Sequence, residues 1–110
     1  GHNVAPEPIE QALARRLPGA SQIVLLGSGR PHLAAVITGN VTPEEAETAL
    51  MELNEGLPHY QRIAGSVLRE EPFSIESGLV TANGKLRRDA IARAVEAEMA
   101  RVYDSVGAPA

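Results

Sequence analysis

The chain has 110 residues, 44% of them apolar, a net charge of −4, one Phe, two Tyr, no Trp and no Cys. This suits one small domain with an aliphatic core and excludes a disulfide framework or a thiolate metal site. It argues against a nucleic-acid binder or an anionic-membrane binder, which would carry a basic patch or base-stacking aromatics.

No apolar run approaches the ~20 residues of a membrane span, and no signal peptide is visible. A cytoplasmic location is therefore expected. The start at Gly1-His2, without Met, leads us to expect a piece of something longer.

Taken in chain order, Val4-Ala5-Pro6-Glu7-Pro8-Ile9-Glu10 opens a helix. Proline is tolerated in a first turn, and glutamate suits the positive end of the dipole. Ile9, Leu13 and Leu17 form its apolar stripe, and Pro18-Gly19 ends it. Residues 23–26 and 32–38 read as strands around the turn residues 27–31, which predicts a hairpin with a long loop. Thr42-Pro43-Glu44-Glu45 is a capping box that starts a second helix with Ala46, Ala49, Leu50 and Leu53 turned inward. Residues 57–63 suggest a further helical turn, and 66–70 a third strand.

Residues 71–85, rich in Gly, Ser and Pro, read as a long loop of the kind that is usually functional or disordered. A last helix is expected from about Arg87 to Tyr103, with Ile91, Val95, Met99 and Val102 on one face. Asp104–Ala110 reads as a frayed tail. The fold class is α+β: a small three-stranded sheet, a hairpin plus a third strand, packed by about three helices on one or both faces.

Short motifs mostly fail on detail. Five residues separate Gly78 from Gly84 where a phosphate loop needs four, and Leu86 stands where Ser or Thr should be. Gly27-Ser28-Gly29 lacks the third glycine and following helix of a dinucleotide site. Asn40-Val41-Thr42 is better read as a helix cap than as a glycosylation site. The three histidines have no metal-ligand spacing, and no catalytic triad or carboxylate pair stands out, so no metal ligand is nominated.

One candidate remains. Lys85 is the only lysine, and the other nine cations are arginine. An ammonium is a compact point charge where guanidinium is a broad planar fork. On a glycine-flanked loop it is suited to stabilising negative charge that develops in a transition state. A domain of this size with one such group implies that the rest of the active site lies elsewhere.

Asn83-Gly84-Lys85-Leu86-Arg87-Arg88-Asp89-Ala90-Ile91 resembles the final core motif of adenylate-forming enzymes: acyl-CoA synthetases, peptide-synthetase adenylation domains and luciferases. Residues 1–10 resemble the segment just after the hinge into their small C-terminal domain, and the resemblance runs to about Tyr103. Residues 5–10, 27–35 and 71–81 make the subtype look like long-chain fatty acyl-CoA ligases. Asn83-Gly84 is closer to the peptide-synthetase form.

The resemblance implies the C-terminal lid of an ATP-dependent ligase whose large N-terminal domain binds ATP, Mg²⁺ and the fatty acid. Lys85 would contact carboxylate and α-phosphate during adenylation, with Asn83 and Gly84 beside the substrate. The lid would then rotate for thioester formation with coenzyme A, and Gly1, His2 and Asn3 would belong to the loop on the coenzyme A side. Its partner is its own N-terminal domain. No nucleic acid is implied, and any membrane contact would be peripheral and made through the absent domain. The isolated fragment would be inactive. A peptide-synthetase domain and a carboxylic acid reductase are the alternatives within the family, and a free-standing interaction module is the alternative outside it.

Overall fold

A computed structural model describes residues 5–27, 32–58 and 61–107, the last three of these by backbone only. Four helices and three strands follow in the order α1 (Pro6–Arg16), β1 (Ala20–Leu26), β2 (Leu33–Gly39), α2 (Pro43–Glu55), β3 (Ile63–Arg69), α3 (Arg88–Ala94) and α4 (Glu96–Gly107). The sheet has the order β1-β2-β3. β1 and β2 form the expected antiparallel hairpin, with Ile23 opposite Ile37 and Val24 opposite Val36. β3 joins parallel to β2, with Ser66 opposite Ala35 and Val67 opposite Val36.

Central β2 is apolar almost throughout and buried on both faces, as a strand covered by helices on either side must be. Alternation then splits the interior into two cores. Leu33, Ala35 and Ile37 face one core, which Ile9 and Leu13 of α1, Leu17 and the Ala46–Leu53 stripe of α2 complete. Ala34 and Val36 face the other, with Val24, Val67, Phe73, Ile91, Val95 and Met99. α4 comes close over β3 because Gly65 has no side chain: a Cβ there would lie 3.1 Å from Val102. Among the described residues, the large apolar side chains left exposed are Met51 and Ile75.

The capping box forms as read. Glu45 N–H donates to Thr42 Oγ1 at 3.1 Å, and Thr42 N–H donates to Glu45 Oε1 at 2.9 Å. α2 carries five glutamates and no basic residue.

Several expectations are corrected. β3 begins at Ile63, within the stretch read as a helical turn. The reason is tertiary: the Asn54 carboxamide, near the end of α2, accepts from Ile63 N–H at 2.8 Å and donates to Ile63 O at 2.9 Å. The single last helix is two, separated at Val95, whose backbone leaves helical geometry. Hydrogen bonds from Val95 N–H to Ile91 O and from Met99 N–H to Val95 O span the break, so one apolar face is preserved. α4 runs to Gly107, past Tyr103 and into the stretch read as a tail.

Candidate functional site

The 71–85 segment is not a formless loop. Its start is pinned to the sheet by Gln22 on β1. The Gln22 Oε1 accepts from Phe73 N–H at 2.7 Å and from the buried Thr38 hydroxyl at 3.0 Å, and its Nε2 donates to Phe73 O at 3.0 Å. Residues 74–78 then form a turn held by Ser77. Its hydroxyl donates to Ser74 O at 2.7 Å, and Gly78 N–H reaches Ile75 O at 3.0 Å. Leu79, Val80 and Leu86 lie against the second core.

A small hairpin follows. Val80 pairs antiparallel with Leu86 in a single bridge. Thr81 N–H donates to Lys85 O, and Gly84 N–H donates to Thr81 O, both at 2.8 Å. Lys85 N–H donates to Thr81 Oγ1 at 3.0 Å. Gly84 has φ +86, with nothing within 4 Å of where a Cβ would be. Glycine is needed there for its left-handed backbone, not for space, as in hairpins that end a tight turn with a glycine bulge. The stem closes with Arg87 N–H on Leu79 O at 2.8 Å and an Arg87 guanidinium N–H on Gly78 O at 3.0 Å.

Asn83, Gly84 and Lys85 are all exposed at this tip. Within the described residues the Lys85 ammonium makes no hydrogen bond or ion pair. A fixed backbone thus carries an unengaged cation, free to meet an anion brought to it. Gly1, His2 and Asn3 lie outside the described residues.

Two residues missed by sequence reasoning flank the hairpin. Arg88, at the start of α3, forks onto Glu10 of α1. One guanidinium nitrogen meets Glu10 Oε2, and the other donates to Oε1 at 3.0 Å. The pair also holds both backbone groups of Leu25. Its N–H donates to Glu10 Oε2 at 2.8 Å, and its carbonyl accepts from Arg88 at 3.2 Å. The Glu10 side chain is 13% exposed. Its hydrogen bond is the main cause that raises the Arg88 guanidinium above its already high ordinary pKa. No local pattern announces a pairing across 78 positions.

Beside this pair lies an apolar cleft of about 410 Å³, lined by Pro6, Leu25, Leu26, Gly27, Leu33 and Ala92 among others. A larger groove of about 660 Å³ runs between α2 and β3, away from the lysine. Its walls include Leu50, Met51, Ser66 and Glu47, which nominate no reaction. Among the described residues no three His, Asp or Glu side chains converge to hold a metal ion, and no helix is long and apolar enough to cross a membrane.

The chain is similar to known proteins in sequence and in fold. The family model for the AMP-binding enzyme C-terminal domain matches residues 1–107. The chloroplastic long-chain-fatty-acid–[acyl-carrier-protein] ligase of Arabidopsis thaliana is 34% identical over 94% of this chain. A probable acyl-activating enzyme of the same plant, also chloroplastic, is 30% identical over 94%. The chain spans only 16% and 17% of the lengths of these two relatives.

Among solved structures, the A-PCP didomain of a carboxylic acid reductase from Segniliparus rugosus, in complex with AMP, superposes with a TM-score of 0.75. That match covers 94% of this chain and 16% of the other at 23% identity, a likeness of fold. The adenylation domain of a Mycobacterium chelonae carboxylate reductase gives a TM-score of 0.71 at 25% identity, over 91% of this chain and 18% of the other.

Proposed function

Because the chain belongs to the AMP-binding enzyme C-terminal domain family, we propose that it is the lid of an ATP-dependent fatty acyl ligase and that Lys85 is its adenylation lysine. The observation that carries the reading is the unengaged Lys85 ammonium at the tip of a hydrogen-bonded hairpin. The fatty-acid relative at 34% identity supplies the substrate class. ATP, Mg²⁺ and the acid would be held by a larger domain, since the chain covers about a sixth of its relatives' length.

In the first step a carboxylate oxygen attacks the α-phosphorus of ATP and pyrophosphate leaves. Two anions must approach, and a tethered ammonium between them offsets the repulsion. The lid then rotates, and a thiol attacks the acyl-adenylate carbonyl as AMP leaves. We assign coenzyme A as the thiol. A second reading, an acyl carrier protein, is favoured by the acceptor of the 34% identical ligase. Both acceptors present the same phosphopantetheine thiol.

The test uses the full-length polypeptide that carries this domain. Lys85→Ala should slow adenylation about 10²–10³-fold, the range for losing one charge-stabilising contact. Thioester formation from supplied acyl-adenylate should be largely spared. Lys85→Arg should not restore adenylation, because a planar fork does not fit an ammonium's place. Equal losses in both steps, or an active Arg variant, would overturn the assignment. An Ala variant with full adenylation would favour an interaction module. Offering coenzyme A and carrier protein in turn separates the two acceptors.

A further inference from the structure

We infer that Glu10 and Arg88 are positioning residues for Lys85, which together fix the lysine hairpin to α1 and the edge of the sheet. The inference rests on the proposed role of Lys85 and concerns how that role is delivered.

The hairpin cannot orient itself. Its stem has a single bridge pair, Val80 with Leu86, and short two-stranded ribbons are marginal alone. Its direction must come from outside. The apolar contacts of Leu79, Val80 and Leu86 with the second core set its height over the sheet. Apolar packing is not directional, so it leaves the angle between hairpin and sheet to be set by hydrogen bonds.

The directional restraint stands three residues after the lysine. Arg88 binds both oxygens of Glu10 and the carbonyl of Leu25, while Glu10 takes the Leu25 N–H. β1 is an edge strand, and Leu25 pairs with Ala35 of β2 on its inner side. The ion pair therefore satisfies Leu25 where a further strand would otherwise lie. Two parallel N–H···O bonds fix the guanidinium plane as well as its position, a restraint a single contact cannot impose. Across the stem, Arg87 holds Gly78 O. The lysine is thus flanked by one arginine that closes its hairpin and one that anchors it.

α1 begins at Pro6. In the proposed enzyme α1 lies close to the hinge, since residues 1–10 resemble the segment that follows it. The Glu10–Arg88 pair then ties the lysine directly to that element, so that rotation about the hinge delivers the ammonium to one place. Misplacement of a catalytic group by about 1 Å can cost 10²-fold in rate. That scale sets the expected effect.

The experiment uses the full-length enzyme with Arg88→Lys, which keeps the charge and loses the fork. Glu10→Gln is a second arm, keeping an acceptor for Leu25 and losing the charge. The turnover number for adenylation should fall by about 10–100-fold, with KM for ATP and for the acid unchanged within about threefold. Thioester formation from supplied acyl-adenylate should be spared, since Lys85 serves only the first step. A merely structural pair would depress both half-reactions alike. Placed on Lys85→Ala, Arg88→Lys should cost adenylation nothing further. Full adenylation in both arms, equal loss in both half-reactions, or an additional loss on the Lys85→Ala background would each overturn the inference and leave the role of Lys85 standing. If Lys85→Ala itself adenylates at full rate, the proposed function fails, and the positioning role falls with it.

Discussion

Gln22→Ala should destabilise the domain by about 3 kcal/mol, far more than a half-buried polar residue on an edge strand would suggest. The change removes three hydrogen bonds: two that Gln22 accepts, from Phe73 N–H and Thr38 hydroxyl, and one that it donates to Phe73 O. A typical internal hydrogen bond contributes about 1 kcal/mol net, and an orphaned buried donor costs about 1–3 kcal/mol. Thr38 is 0% exposed and Phe73 8%, so water is poorly placed to replace the lost partner.

Thr38→Val is the control. It removes the hydroxyl together with its need for a partner, and Gln22 keeps both bonds to Phe73. Its cost should stay below about 1 kcal/mol. Urea denaturation of the isolated domain reads both variants. With a slope of about 1–3 kcal/mol/M, the midpoint of Gln22→Ala should fall by about 1–3 M and that of Thr38→Val by less than about a third as much. Equal midpoint shifts would refute the view that Gln22 holds Phe73 to the sheet.

Thr42→Ala should cost about 1 kcal/mol, because Glu45 N–H loses its cap. An unchanged denaturation midpoint would show that α2 starts elsewhere. Residues 1–110 alone should give no calorimetric signal for ATP at micromolar concentration, since Asn83, Gly84 and Lys85 stand exposed at the hairpin tip. A micromolar affinity would overturn the split-site picture. Glu98 on α4 has its pKa lowered chiefly by the hydrogen bond from Arg69. A folded pKa below the unfolded value of about 4.3 means that the contribution is present above that value. It is lost as pH falls through the folded pKa. The pair is exposed, so the effect is small and salt-sensitive. The stability difference between the wild type and Glu98→Gln should vanish in acid. A difference that grew towards acid would show that the sign is wrong.

What could be read in advance follows the range of the forces. The capping box, the Ile9-Leu13-Leu17 stripe and the β1–β2 hairpin each lie within a few residues, so local pattern announced them. β3 starts three residues before its expected place because Asn54, near the end of another element, supplies partners for Ile63. The break at Val95 leaves the apolar spacing of Ile91, Val95 and Met99 intact, so periodicity could not reveal it. Lys85 stood out by its rarity and its motif, and Asn83-Gly84 was an available hairpin signal within a segment read as open loop. Glu10 with Arg88 and Gln22 with Phe73 join positions 78 and 51 residues apart. Neither member of either pair carries a local mark of the other.

The acidic character of α2 gives the molecule electrical polarity. Residues 43–55 carry five negative charges and none positive. On the opposite face of the sheet, residues 85–93 carry Lys85, Arg87, Arg88 and Arg93 against Asp89 alone, a local charge of +3. The overall −4 therefore conceals a strong local contrast between α2 and the stretch that begins at the lysine. Near a polyanion such as a nucleotide, that contrast would favour approach of the hairpin over approach of the glutamate helix. A lid hung on a swivel would be oriented before any contact formed, and the orienting pull would weaken with ionic strength over about 10 Å at 0.1 M salt.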